Sequence, residues 1–385
     1  MSTTAPPHTR WGLTLATAVG SAAVVAVVLL AFLWPSVTSR VHNLPVVVSG
    51  SGPAETALHA QLEKAGVFAI SPADNRAAAI AAVEARDAYG AFVVAPDGSG
   101  VDVLTASAAS PVVVQIMNQA AAGISQGMAQ QAAAGQAARV QAALASGRLS
   151  AMASALQPVP APKVTVTDVA PLNKQDPRGT GLALLGLPLA MGGMIGGVLI
   201  SLVVTGFRRR LAAAGAYGVA GGLGLVGILQ GWFGILSGPY LLNALAMGLG
   251  LFAIAITIVG LESLLGKPGI PVGAVLTMFI GNPISSLTSP LEFLPWHWGE
   301  IGQWFVPGAT GTLLRDLSYF PNAAQGVHWL VLAAWSAAGI ALAILGRHRN
   351  EEAVHLPSTL DASGHDTSGH DGGARHGADL SAASA

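Results

Sequence analysis

Few residues in this sequence have side chains suited to chemistry, and most of those sit at the borders of long apolar runs. Glu262 is the one acid touching such a run, with Lys267 close behind it and the basic triplet Arg208-Arg209-Arg210 bordering another run. Charge is tolerated at a membrane rim and excluded from the hydrocarbon interior. A carboxylate near cations there has two readings, an interfacial carboxylate and a coupling site. Within the runs the polar groups are Gln230, Asn243 and Thr257. Amides in hydrocarbon need a partner, so bonding between helices and contact with a solute are their two uses. In the C-terminal tail, Ser-Gly-His-Asp occurs at 363–366 and again at 368–371, alongside His355 and His376. Such a tail would collect Zn or Ni loosely, but nothing fixes a ligand geometry, so it reads as solvated chain with no metal site.

Other chemistry is excluded more firmly. With 0 cysteines, disulfides, thiolate metal sites and cysteine nucleophiles are impossible. No glycine-rich phosphate loop with its Lys and Ser/Thr is present, so any use of ATP belongs to a partner. His297 and His328 lack ligand-like spacing, and no serine sits in a nucleophile elbow. The chain reads as a non-enzyme without a cofactor.

The elements that carry these residues follow from composition. Of 385 residues 52% are hydrophobic and 10% charged, whereas an ordinary soluble domain carries about 25% charged residues. A formal net charge of -1 offers no basic field for nucleic acid. The apolar residues fall into six runs, 12–34, 181–206, 211–236, 240–261, 272–287 and 327–346, of which 272–287 is short for a span. The expected fold is an α-helical polytopic membrane protein with six spans and an extracytoplasmic α/β domain inserted between the first two. Arg10, the 208–210 triplet, Lys267, Arg347 and Arg349 lie at alternate ends of the runs, so both termini are expected in the cytoplasm. Residues 1–11 then form a cytoplasmic start, 36–179 the external domain, 181–346 the five-span domain and 347–385 a cytoplasmic tail. The segment 290–325, rich in Trp and Pro, falls on the outer side. Glycines at 192, 193, 196 and 197, and at 218, 221, 222 and 224, mark faces where helices approach closely, within the bundle or across a dimer.

Between 36 and 179 the pattern alternates strand and helix. Strands are expected at 44–48, 67–70, 91–94 and 101–105, with helices over 55–65 and from the capping-box-like start at Ser71 to 88. Ser110-Pro111 then opens a long Ala- and Gln-rich helix to about 146, a short helix follows to 156, and 157–162 is extended. An edge strand over 163–169 leads back to the membrane.

Some local residues carry a resemblance. Leu44-Pro45-Val46-Val47-Val48 and Ala91-Phe92-Val93-Val94-Ala95-Pro96 stand in the external domain. Near the C-terminus stand Gly281-Asn282-Pro283, Ser289-Pro290-Leu291-Glu292-Phe293-Leu294-Pro295, Val306-Pro307-Gly308-Ala309 and Leu314-Arg315-Asp316. With the order of one span, domain and five spans, this resembles the phage-infection-protein-like (YhgE/Pip-like) branch of the ABC transporter type two permease superfamily. The resemblance implies a multi-pass protein of the bacterial plasma membrane, a homodimer in the lipid bilayer that exports a hydrophobic or amphipathic solute with energy from a separate ATP-binding subunit. On that reading Arg208, Arg209, Arg210, Glu262 and Lys267 form the coupling interface. Gln230, Asn243, Asn282, Pro283, Trp296 and Trp304 line the solute path or outer gate. The alternative is a non-transporting envelope receptor or scaffold that binds through the external domain. The short cytoplasmic loop at 207–211 leaves little surface for gripping an ATPase and favours that alternative.

Overall fold

Residues 10–157 and 163–352 are described by the computed structural model. A long helix α1 (Trp11–Thr38) leads into β1 (Leu44–Ser49), α2 (Pro53–Ala65), β2 (Phe68–Ala73), α3 (Arg76–Glu84), β3 (Gly90–Val94) and β4 (Gly100–Thr105). Next come α4 (Pro111–Ser146), α5 (Leu149–Ala155) and β5 (Lys163–Asp168). The helical region comprises α6 (Thr180–Leu184), α7 (Gly186–Val203), α8 (Phe207–Val226), α9 (Tyr240–Leu265), α10 (Gly269–Ala274), α11 (Trp298–Gly302), α12 (Val306–Tyr319) and α13 (Gly326–Glu352). π-helical turns extend α8 through Gly227–Trp232 and α10 through Val275–Gly281. The extended stretch expected over 158–162 and the histidines of the tail lie outside the described residues.

The sheet runs in the order β2-β1-β3-β4-β5. β1 lies parallel to β2 and β3, β3 antiparallel to β4, and β4 parallel to β5. Alternate side chains feed two cores, as the period of two in a strand requires. Leu44, Val46, Val48, Phe92 and Val103 pack against Leu58 and Leu62 of α2 and Val113 and Met117 of α4. Val47, Ala91 and Leu104 pack on the other face against Ala79 and Val83 of α3. Caps match the local sequence: the Ser110 side chain accepts from the Val113 amide at the start of α4, and left-handed Gly66 and Gly147 close α2 and α4.

One boundary differs from expectation. Ser71 does not start a helix; Ser71 and Pro72 continue β2, in register with Val47 and Val48. Asn75 caps α3 instead, its Oδ1 accepting from the Ala78 amide at 2.9 Å. Pro72 has no N–H to donate, which an edge strand such as β2 tolerates.

Among the described residues five helical stretches are long and apolar enough to cross a membrane: Trp11–Pro35, Thr180–Val203, Phe207–Trp232, Tyr240–Leu265 and Gly326–Arg347. The run expected at 272–287 yields instead a shorter apolar helix, Gly269–Gly281. At 1.5 Å per residue its 13 residues rise about 20 Å, against a hydrocarbon core of about 30 Å. Asn282-Pro283 then leads into turns. The bundle is built around α9, which is buried along most of its length, whereas α1 is exposed through most of its apolar stretch and packs near its end, at Phe32 and Pro35. The glycine faces serve this packing: a Cβ at Gly222 would lie 2.3 Å from the Ala244 carbonyl, and one at Gly193 2.6 Å from Ile254.

The Trp- and Pro-rich segment does more than connect helices. Phe293 belongs to one core of the sheet domain and Phe320 to the other. The α/β domain and the bundle are therefore joined by shared hydrophobic cores.

Candidate functional site

The sheet domain meets the bundle through buried charge. Arg86, left-handed at φ 64° just after α3, pairs its guanidinium with the Asp316 carboxylate of α12. The guanidinium also lies over the Phe320 ring, 5.5 Å from its centre, which adds a cation–π contact. Next to them, the Tyr89 hydroxyl donates to Glu292 at 3.0 Å. Burial first, and the Glu292 charge second, push the Tyr89 phenol well above its usual value, so it stays a neutral donor. Arg315, 8% exposed, donates through Nη2 to the Leu287 carbonyl at 2.9 Å, while its Nε has no partner among the described residues. Burial, with Arg86 adding like charge, pulls the Arg315 guanidinium down to about 10. Asn322 donates to Glu84 at the rim of this junction.

Below the junction the backbone is irregular and buried. After Gly281 the chain turns through Asn282–Ser289 and lines a cleft of about 350 Å³, closed on its other sides by Phe32 and Pro35 of α1 and by Gly186 and Leu187 of α7. Its polar wall carries Asn282, Ser285, Ser286, Thr288 and Ser289. Ser286 has φ 54°, and its buried Oγ has no hydrogen-bond partner among the described residues. The Ser285 carbonyl accepts from Gln303 at 2.9 Å, and Gln303 in turn accepts from Thr312 at 2.7 Å, so the turn is tied to α12. Gly302 allows the close approach, since a Cβ there would stand 1.7 Å from the Ile284 carbonyl. A cleft lined by peptide edges and hydroxyls on one side and by α1 on the other suits a solute with both polar and apolar parts.

The other expected site residues fall into three groups. At the far end of the bundle Arg210 pairs with Glu262, and its other nitrogens donate to the Val204 and Ser201 carbonyls at 2.7 and 2.8 Å. The pair thus fastens α7, α8 and α9 together. Lys267 is exposed and takes no part in it, and Arg208 and Arg209 are exposed beside it. Gln230 and Asn243 meet, the Asn243 amide donating to the Gln230 oxygen at 3.0 Å and to the Ser237 carbonyl at 2.7 Å. They bond to each other and to a turn, away from the cleft. Asn282 and Pro283 do line the cleft, but Trp296 and Trp304 do not: they are 86% and 62% exposed.

Arg86 and Tyr89 were not visible as site residues in the sequence. Their partners were partly signalled, since Arg315-Asp316 is a charged pair inside an otherwise apolar stretch, Val306–Tyr319, which a packed helix accommodates only with partners. Nothing in the residues around Arg86 announces that its partner lies 230 positions away.

Comparison with known proteins finds no family model, no curated protein and no solved structure that matches this chain. Its class is therefore defined by its own architecture: a mostly helical protein with five helices long and apolar enough to cross a membrane, joined to a small five-stranded sheet.

Proposed function

We propose that this chain is the membrane permease subunit of an exporter, moving a hydrophobic or amphipathic solute outward with energy from a separate ATPase. The carrying observation is the short apolar helix Gly269–Gly281 that ends in buried, non-helical backbone lining a polar-walled cleft. In a bilayer such backbone is tolerated where it is buried in protein or lines a cavity, and transporters place solute sites at broken helices. In this reading the short helix re-enters rather than crosses or forms a sixth, thinned span. The cleft at 282–289 is the outer gate, the α/β domain stands outside the plasma membrane, and both termini are cytoplasmic. Arg208 and Arg209 then present exposed positive charge to an ATP-binding partner, while the Arg210–Glu262 pair keeps their loop fixed. The glycine faces in the bundle are used within the chain except at Gly224, and a homodimer would form mainly through other surfaces, such as the exposed face of α1.

The test is purification of the tagged protein from its native membranes in mild detergent, with an ATPase assay on what remains bound. A stoichiometric ATP-binding subunit, lost on Arg208→Glu/Arg209→Glu, is the expected result. An eluate without such a subunit would overturn the reading. It would favour an envelope receptor or scaffold, a reading supported by a second crevice of about 610 Å³ in the α/β domain.

A further inference from the structure

We propose that this second crevice binds a small soluble solute carrying a single oxyanion, a carboxylate or a phosphate ester. It does not depend on the transport reading. β1 leads through α2 to β2 on one face of the sheet, and β2 leads through α3 to β3 on the other face. The loops after β1 and β3 thus part in opposite directions, and the gap outside the carboxyl ends of these two strands is where open α/β sheets bind ligands. The crevice occupies that gap, between Ser49-Gly50-Ser51 on one side and Ala95-Pro96 on the other.

The groups facing it are mainly donors. Ser49 is 3% exposed, lines the crevice, and its hydroxyl has no hydrogen-bond partner among the described residues. Gly50 brings the loop so close to β3 that a Cβ there would stand 2.9 Å from that of Val94, and Gly52 has φ 84°. Gly50 lines the crevice, so its backbone is exposed there without a side chain to cover it. The 13-residue α2 begins directly behind with Pro53 in its first turn and no side-chain cap, so its N-terminal amides are available to an acceptor.

Two cations complete the wall. Arg76 spends Nε and Nη2 on Asp102, at 2.9 and 2.8 Å, and Lys163 stands at the start of β5 with no partner among the described residues. Asp102 is already committed, since its second oxygen accepts from Thr165 and Thr167 at 3.0 and 2.9 Å. The hydroxyls, Lys163 and the remaining Arg76 nitrogen are left to a ligand that accepts. Asp74 in the wall and Glu55 in the first turn of α2 argue for one anionic group rather than several. A volume of about 610 Å³ fits an organic molecule rather than a bare ion.

The crevice also lies far from any lipid surface the bundle defines. Bundle contacts, Arg40 with Phe293 and Tyr89 with Glu292, gather where β1 and β3 begin. The crevice lies where they end, about 20 Å away at 3.3 Å per residue along a six-residue strand. A soluble solute is therefore the occupant, and a headgroup of the surrounding bilayer is out of reach.

The experiment is isothermal titration calorimetry on the detergent-purified full chain with glycerol 3-phosphate, lactate and inorganic phosphate. Glycerol serves as the uncharged control and phosphatidylglycerol vesicles as the lipid arm. The expected result is saturable binding of at least one of the three anions, one per chain, with a Kd at or below about 1 mM. It should weaken about tenfold or more in Ser49→Ala and in Lys163→Gln, the latter on an exposed strand end where folding is not at stake. Four results would overturn the proposal: no saturable binding of any of the three anions, equal affinity for glycerol, affinity unchanged in both variants, or binding confined to the vesicles.

Discussion

Arg76 and Asp102 pair within the sheet domain, whereas two further arginine–carboxylate pairs tie larger parts of the protein together, and they do different work. Arg210 and Glu262 are about a fifth exposed, lie 52 positions apart, and fasten three helices of one bundle. Arg86 and Asp316 are 17% and 3% exposed, lie 230 positions apart, and join a sheet domain to that bundle. Around the first pair the chain is helix apart from the 204–206 turn, where Gly206 supplies the left-handed φ, the arginine is satisfied by carbonyls, and the Ser201 hydroxyl is the buried atom without a partner among the described residues. Around the second the backbone is irregular, Arg86 and Ser286 adopt left-handed φ, and Arg315 and Ser286 carry buried atoms without partners. Such local cost is held in place only when the surrounding structure over-determines it, and it gathers where a molecule is built to bind or move. On the proposed function, the far end fastens the bundle and the cleft at the sheet end is where a solute binds.

The comparison breaks most readily at Asp316. Asp316→Ala strands Arg86 and Arg315 as buried cations and is expected to cost about 3–5 kcal/mol, read as a lowered denaturation midpoint in detergent. A loss below that of Arg210→Ala would reverse the ranking of the two ends. Arg210→Ala is expected to cost about 2 kcal/mol, since it strips donors from two carbonyls and one carboxylate at a half-solvated rim. Both variants should leave the spectroscopic helix content of the folded state unchanged.

Tyr89→Phe is the next smaller effect, about 1.5 kcal/mol for a hydrogen bond to a charged acceptor. It also has a pH signature. Below the usual tyrosine value of 10.0 the phenol is neutral whether folded or not, so nothing is lost. Above it the unfolded chain ionises while buried Tyr89 does not, and stability falls as pH rises further. Arg315, which sheds its proton earlier in the folded state, acts in the opposite sense over the same range. Wild type minus Tyr89→Phe therefore isolates the phenol, and the alkaline loss should shrink in the variant. Smallest of all is Asn75→Ala, remote from both pairs, at about 1 kcal/mol for a lost helix cap. An effect as large as that of Asp316→Ala would show that the sheet domain, rather than its junction, limits stability.

Legibility in the sequence divides along the same line. The sheet domain could be read in order, because alternating Val runs, Ser110-Pro111 and Gly66 are local signals whose consequences are local. The shift of the α3 start from Ser71 to Asn75 came from pairing: β1 offered a register to Ser71 and Pro72 that outweighed a weak cap. Among the membrane-length runs, five became long helices and 272–287 did not, because Asn282-Pro283 ends the helix before it has risen far enough. Glu262 is grouped in the sequence with both the 208–210 triplet and Lys267, and packing selects Arg210 from that group as its partner. The resemblance puts Trp296 and Trp304 on the solute path or outer gate, whereas the cleft wall is made of small hydroxyl side chains that composition does not single out. Arg86 and Tyr89 stayed hidden because a contact across 230 positions leaves no local trace.

The absence of native cysteines makes the most direct test simple. Single cysteines at Thr288 in the cleft wall, Gln131 on α4 and Arg208 at the far end would be treated with a membrane-impermeant maleimide on intact cells. The account predicts that Thr288→Cys and Gln131→Cys react at once and that Arg208→Cys reacts only after the cells are permeabilised. Reaction of Arg208→Cys on intact cells, or failure of Thr288→Cys to react there, would contradict an outward-facing cleft at the sheet end.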